Sequence, residues 1–291
     1  SILLLIVTMF IGTDINGARG WIRLGPLSFQ PAELAKIATI MMLGKTLEEM
    51  NGTINEVKNF FTMAFYAVIP AIFIVIQPDM GMTMVLFFMV VGIFFIAGLD
   101  IKILGGGLLS LVVAIVIVWN SGLIQPYQKT RITSFMNPES DSSESGYQLR
   151  QSLISIGNGG VLGLQGNAIT KENSVGYAAQ YVPEVQTDFI FASIAEQWGF
   201  LGACFLFLLY GILISRMIAI ARTAKDQFGS IICVGLVAYF LFALLQNIGM
   251  TIGLMPITGI TLPLISYGGT SLLTTVMSIG LILNVGMRRK K

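Results

Sequence analysis

Hydrophobic residues fall in long unbroken runs at about 1–12, 31–45, 59–76, 79–98, 102–119, 188–217, 229–252 and 262–287. The runs lack the period-2 alternation of transmembrane barrel strands, and all but the first approach the roughly 20 residues that cross a bilayer as a helix. Within hydrocarbon a backbone must satisfy its own polar groups, so helices are the remaining way to span. The pattern predicts an all-α polytopic membrane protein, one transmembrane domain over 1–291 with seven full transmembrane helices. The opening SILLLIVTMFIG, about a dozen residues, is too short to span and reads as the back half of a truncated helix. Residues 120–187 form the one long polar connection.

Composition narrows the chemistry. Hydrophobic residues make up 55% of the chain and charged residues 11%, with a mean hydropathy of +0.81, against about 25% charged in soluble domains. A formal net charge of +2, with no basic stripe interleaved with aromatics, argues against a nucleic-acid partner. The chain contains no histidine, which excludes Ser-His-Asp triads and His-ligated metals. Acid–base chemistry therefore falls to Asp, Glu, Lys, Arg or Tyr. Cys204 and Cys233 stand singly in apolar runs and read as small buried hydrophobes.

Lys and Arg placement sets an expected orientation, because cytoplasmic loops are enriched in basic residues. Alternating the spans puts Lys45, Lys58, Lys102, Arg216, Arg222, Lys225, Arg288, Arg289, Lys290 and Lys291 on one face, taken as cytoplasmic. Arg19, Arg23, Lys129, Arg131, Arg150 and Lys171 are spread over longer loops on the other. In that orientation 12–30, 120–187 and 253–261 are extracytoplasmic, the C-terminus is cytoplasmic, and Glu33, Lys36, Asp79 and Asp188 fall at the outer ends of their helices. Ionisable residues at membrane depth are costly and default to functional candidates, and several at one depth suggest one site.

Each has a plainer reading. Pro31 suits a helix start, so Glu33 and Lys36 at i,i+3 form either a structural ion pair or a headgroup site. Asp79 in QPDMG serves as a helix cap or a substrate or metal group. Asp188 caps the helix that follows, or acts as a general base in a partly desolvated cavity, with Glu184 and Glu196 as lesser candidates. Within the long loop, NPESDSSESG (137–146) has nothing apolar to bury and reads as a mobile excursion. QSLISIGNGGVLGLQG (151–166) is glycine-rich without a dinucleotide fingerprint, and its glycines serve either close packing or ligand contact. Between the last two spans, Gly249 and Gly253 with Pro256, Gly259 and Pro263 predict a tight helix corner.

The spaced pattern Asn247, Gly253-Leu254, Pro256, Gly259 and Leu264-Ile265-Ser266-Tyr267-Gly268-Gly269-Thr270-Ser271 resembles the signature of the SEDS family (shape, elongation, division and sporulation) of peptidoglycan polymerases. NGARGWIRLG…SFQPAELAK, QPDMG, NPESD…GYQLRQS…GNGG and PEVQTDFIFASIAEQWGFLG resemble family blocks in the same order, and the loop resembles a RodA-like elongation member. The resemblance implies a fold of ten transmembrane helices in the bacterial cytoplasmic membrane, and an extracytoplasmic glycosyltransferase that polymerises lipid II, a polyprenyl-pyrophosphate-linked disaccharide-pentapeptide. It implies Asp188 as the catalytic residue and family equivalents at Glu33, Lys36 and Asp79. Arg19, Arg23, Arg150, Gln151 and Ser152 lie in the same matched blocks and join these as substrate-binding candidates. A divalent cation, Mg²⁺ or Mn²⁺, is expected as a possible cofactor on oxygen ligands, with a class B penicillin-binding protein as partner beside the membrane lipids. Gly20, Ala32, Gln186 and Gln197 depart from the family pattern. A lipid II flippase and a non-catalytic scaffold of the cell-wall machinery are the alternatives.

Overall fold

The computed structural model describes residues 1–15, 18–25, 27–120, 144–166 and 176–288. Of the expected mobile stretch 137–146, residues 137–143 lie outside them, as do Lys129, Arg131, Lys171, Arg289, Lys290 and Lys291, whereas Glu144, Ser145 and Gly146 open a helix. The membrane-type helices are α1 (Ile2–Ile11), α2 (Pro31–Glu49), α3 (Val57–Ile76), α4 (Met80–Ile96), α5 (Ile101–Asn120), α9 (Ile190–Arg222), α10 (Gln227–Thr251) and α11 (Gly269–Met287). That is the predicted polytopic helical class. Four of them, α3, α9, α10 and α11, combine spanning length with high hydropathy among the described residues.

Two regions read as loops are structured. Three strands, β1 (Thr13–Ile15), β2 (Ala18–Leu24) and β3 (Leu27–Phe29), form an antiparallel sheet. The alternation in ARGWIRL causes it: Gly20 and Ile22 face inward while Arg19 and Arg23 stand exposed on the other face. The 120–187 connection contains α6 (Glu144–Gly159), α7 (Gly163–Gly166) and α8 (Tyr177–Tyr181). Leu149 and Ala178 from these helices join Val182, Phe189, Met250 and Ile257 in a buried apolar cluster, so this segment has its own core.

The chain divides into two compact units. The first takes in the described residues of Ser1–Leu123, Ile214–Phe242 and Gly269–Lys291, the second those of Ile124–Leu213 and Ala243–Gly268.

In the first unit α2, α4 and α10 approach closely at Gly235, where a Cβ would come 2.9 Å from Ile40 and 3.0 Å from Ile93, and Phe88 stacks on Phe242 at 4.3 Å. In the second unit the glycine-rich stretch packs on a broken helix. α9 loses helical geometry at Gly199, with φ 67° and ψ −165°, a region only glycine enters readily. The freed amides of Phe200 and Leu201 donate to the carbonyls of Gly160 and Val161 at 2.9 and 3.1 Å, and Gly159 and Gly163 lie so near Ala195 and Gln197 that a Cβ would sit 2.0 and 2.2 Å from their carbonyl oxygens. Of the two uses open for these glycines, these two serve close packing. Gly199→Ala, whose Cβ would lie 2.3 Å from the Gly163 nitrogen, is therefore expected to destabilise the second unit by about 2–3 kcal/mol, read as a lowered unfolding midpoint in detergent. An unchanged midpoint would mean the break is not held this way.

Candidate active site

The chain enters α9 through a turn whose backbone is gripped from one side. Three consecutive carbonyls are caught: Gln186 by the Tyr267 amide at 2.8 Å, Thr187 by the Ser266 hydroxyl at 2.5 Å, and Asp188 by the Asn247 side-chain amide at 2.8 Å. The grip is itself braced. Asn247, fully buried near the end of α10, also donates to the Ile260 carbonyl at 2.7 Å, and the Ser266 oxygen accepts the Leu262 amide at 2.8 Å. Tyr210 on α9 donates its hydroxyl to the Pro263 carbonyl, tying the same corner to the helix. Buried amides and hydroxyls require partners, so the corner between α10 and α11 fixes the backbone at Asp188.

The carboxylate emerges from this clamp half-buried. Gly259, at φ 71°, lies against it; a Cβ there would meet the Asp188 Oδ2 at 3.2 Å. Thr187 turns its hydroxyl back to the Glu184 carbonyl and carboxylate, at 3.2 and 2.9 Å. On the corner that holds this turn, Tyr267 is 75% exposed, and Leu264 and Ile265 are exposed as well.

The other predicted residues of this unit divide. Ser152 is buried and donates to the Thr251 carbonyl at 2.8 Å, holding α6 to the end of α10. Gln151 accepts the Tyr177 hydroxyl at 2.5 Å. Arg150 is exposed, and its neighbour Leu149 packs in the cluster that holds Phe189, the residue after Asp188. Among the described residues Arg150 is the one cation of the second unit. Glu196 is buried and takes the Tyr177 and Ala178 amides at 2.7 and 2.8 Å, capping the start of α8.

Glu33, Lys36, Asp79, Arg19 and Arg23 belong to the first unit. Lys36 and Glu33 are 3% and 5% exposed and pair at 2.9 Å; Thr274 of α11 donates to the same Glu33 oxygen at 2.6 Å, and the Lys36 ammonium lies 3.7 Å from the Tyr239 ring centre. This quartet joins α2, α10 and α11. Asp79 caps α4 by accepting the Met82 amide at 2.9 Å and receives the Gln30 side-chain amide at 2.8 Å. Thr274, Tyr239 and Gln30 gave no separate signal in the sequence, since their roles depend on helix packing. Asn247 and Ser266 did, as part of the spaced motif, though only as a corner.

Among the described residues no three Asp, Glu or Cys side chains gather to hold a metal ion.

Residues 1–291 match the family model FTSW_RODA_SPOVE, described as a cell cycle protein. Stage V sporulation protein E of Bacillus subtilis is 38% identical over 98% of this chain and 75% of its own length. A probable peptidoglycan glycosyltransferase FtsW of Aliivibrio salmonicida is 37% identical over 98% and 70%. Among solved structures, the rod shape determining protein RodA of Thermus thermophilus matches with a TM-score of 0.70 at 31% identity, covering 100% of this chain and 76% of that one. A chain from a peptidoglycan synthase complex, described as coordinating polymerization and crosslinking, matches with a TM-score of 0.84 at 34% identity, over 100% and 79%. A multi-pass membrane protein by its helices and matched along its whole length, the chain belongs to the FtsW, RodA and SpoVE family, the SEDS family that its Asn247 and SYGG corner suggested.

Proposed function

We propose that this chain is a peptidoglycan glycosyltransferase that polymerises lipid II at the extracytoplasmic side of the bacterial cytoplasmic membrane, in cell elongation and shape, with its C-terminus cytoplasmic. The observation that carries the reading is the grip on three successive carbonyls at 186–188, which fixes the backbone of a half-buried carboxylate. Relatives named peptidoglycan glycosyltransferase support the reaction class, and the basic residues gathered on the opposite loops support the sidedness.

In this mechanism Asp188 accepts the proton of the acceptor sugar's 4-hydroxyl as that oxygen attacks the anomeric carbon of the donor. The new bond is the glycosidic C1–O4 bond; the bond broken joins C1 to pyrophosphate, which leaves on its polyprenyl chain. Arg150 stabilises the departing negative charge. Arg19 and Arg23, exposed on β2, are further candidate cations for the headgroup, and within the first unit the buried Glu33–Lys36 pair and Asp79 hold their own helices. The likeness to a chain of a complex that couples polymerization to crosslinking supports a class B penicillin-binding protein as partner.

Translocation of lipid II without chemistry fits the helix count, but among the described residues the buried charged side chains of the first unit, Glu33 and Lys36, occupy only about 5 Å of α2 at 1.5 Å per residue. Such a stretch does not cross a bilayer of roughly 30 Å. Liposomes carrying the purified protein and lipid II in one leaflet separate the two: glycan strands are expected, whereas movement of lipid II between leaflets without strand formation would reject the reading. The clamp makes its own prediction. Ser266→Ala removes the bond to Thr187 and is expected to slow polymerisation by on the order of 10-fold, since small misplacements at a reacting centre are amplified. Wild-type turnover by a correctly folded S266A protein would show that the clamp does not position Asp188.

A further inference from the structure

At the other end of the first unit, away from the Glu33 end of α2, the start of α10 and the end of α11 enclose a cavity of about 140 Å³, many times the roughly 10–15 Å³ that admits one water. One part of its lining is apolar, from Met41 of α2, Phe228 and Ile232 of α10, and Leu281 and Val285 of α11. The other part is polar, with Lys225, Asn284 and Arg288. Asp226 is also in the lining, but its Oδ1 accepts the Gly229 amide at 2.8 Å and caps α10. Among the described residues the ion pairs are Lys36–Glu33 and Lys45–Glu49, so within that set no carboxylate pairs with Lys225 or Arg288.

Two exposed cations and a carboxamide donor face a space whose other walls are the apolar flanks of membrane-type helices. The two cations outnumber the single carboxylate, so the lining carries a net positive charge. That division matches an amphiphile with an anionic head and hydrocarbon tails, and the position at helix ends matches the depth of a lipid headgroup. We propose that this cavity binds the phosphodiester headgroup of an anionic membrane phospholipid, with Lys225 and Arg288 on the phosphate oxygens, Asn284 donating to the head, and Phe228, Leu281 and Val285 against the upper acyl chains. Lipid bound there bridges the loop between α9 and α10 to the end of α11. The site is independent of the chemistry assigned to Asp188.

The test uses the full chain in neutral detergent, with phosphatidylglycerol, phosphatidylcholine or inorganic phosphate added, and reads retained lipid by native mass spectrometry together with the unfolding midpoint. Phosphatidylglycerol is expected to be retained at least about ten-fold more than phosphatidylcholine and to raise the midpoint. K225Q/R288Q is expected to lose that preference, whereas K58Q/K102Q, which removes two basic residues placed on the same face but outside the cavity, keeps it. Equal retention of the two lipids, or equal loss in both double variants, would overturn the site in favour of diffuse surface attraction. The same midpoint shift from inorganic phosphate alone would overturn the lipid assignment in favour of a soluble anion.

Discussion

Asp188→Asn is expected to lower polymerisation of lipid II by two to four orders of magnitude, the contribution typical of a positioned general base, with an unfolding midpoint close to wild type. The separation of activity from stability follows from how the residue is held. The grip on this turn uses the carbonyls of Gln186, Thr187 and Asp188, all of which remain in the variant. Asn has nearly the size and shape of Asp, so the approach of Gly259 to the side chain is preserved. What is lost is the ability to take a proton. Gly259→Ala offers a complementary perturbation: the carboxylate stays, but the added methyl presses on its Oδ2 from 3.2 Å and the backbone at φ 71° becomes strained. Loss of activity in both, with intact folding only in the Asn variant, is the expected pair of results. A D188N protein that polymerises at the wild-type rate would remove Asp188 from the mechanism.

The second large effect is expected in the first unit. Lys36→Met leaves the Glu33 carboxylate buried with Thr274 as its hydrogen-bond donor, and Glu33→Leu leaves the Lys36 ammonium over the Tyr239 ring without a counter-charge. Either single change is expected to destabilise by about 3–5 kcal/mol, because an uncompensated charge remains buried, whereas replacing both with apolar residues is often neutral or stabilising. Lys36→Met with Glu33→Leu should therefore recover most of the stability that each single variant loses. Denaturant unfolding of the four proteins gives the coupling energy, and polymerisation assays on the same samples give a second readout. If the double variant folds as well as wild type and is active, the pair serves helix packing; if it folds well and is inactive, the pair belongs to the substrate site.

These expectations show where sequence was informative. Apolar run length placed most of the spanning helices to within a few residues, because burial in hydrocarbon imposes length and composition together, but the run at 262–287 took in seven residues of the corner before the helix that starts at Gly269. The 13–29 sheet carried a legible signal in the alternation Arg19, Trp21, Arg23 against Gly20 and Ile22, hidden among neighbouring glycines and between two helices. The division into two units was not legible: it depends on Leu149, Ala178, Val182 and Phe189 meeting Met250 and Ile257 across about a hundred residues of chain, and no local periodicity encodes such a meeting.

The site was legible in part. Asp188 stood out as a carboxylate where an apolar helix begins, and Asn247 and the SYGG run stood out by motif. Their relation did not, because a donor such as Asn247 Nδ2 finds the Asp188 carbonyl only after the chain between them has folded back. Glu196 could not be told from a second catalytic acid by position alone; its two bonds to the amides of α8 identify a cap. The Glu33–Lys36 spacing predicted the pair, while its burial against Thr274 and Tyr239 required the packed helices.

The central claim is that this chain itself forms glycosidic bonds between lipid II molecules, with Asp188 as the base. Its most direct test is electrophoretic separation of the products formed from labelled lipid II by purified protein, with and without a class B penicillin-binding protein. A ladder of glycan strands is expected from the wild-type chain and none from Asp188→Asn under the same conditions. No ladder from the wild type in either setting, or an equal ladder from the Asn variant, would contradict it.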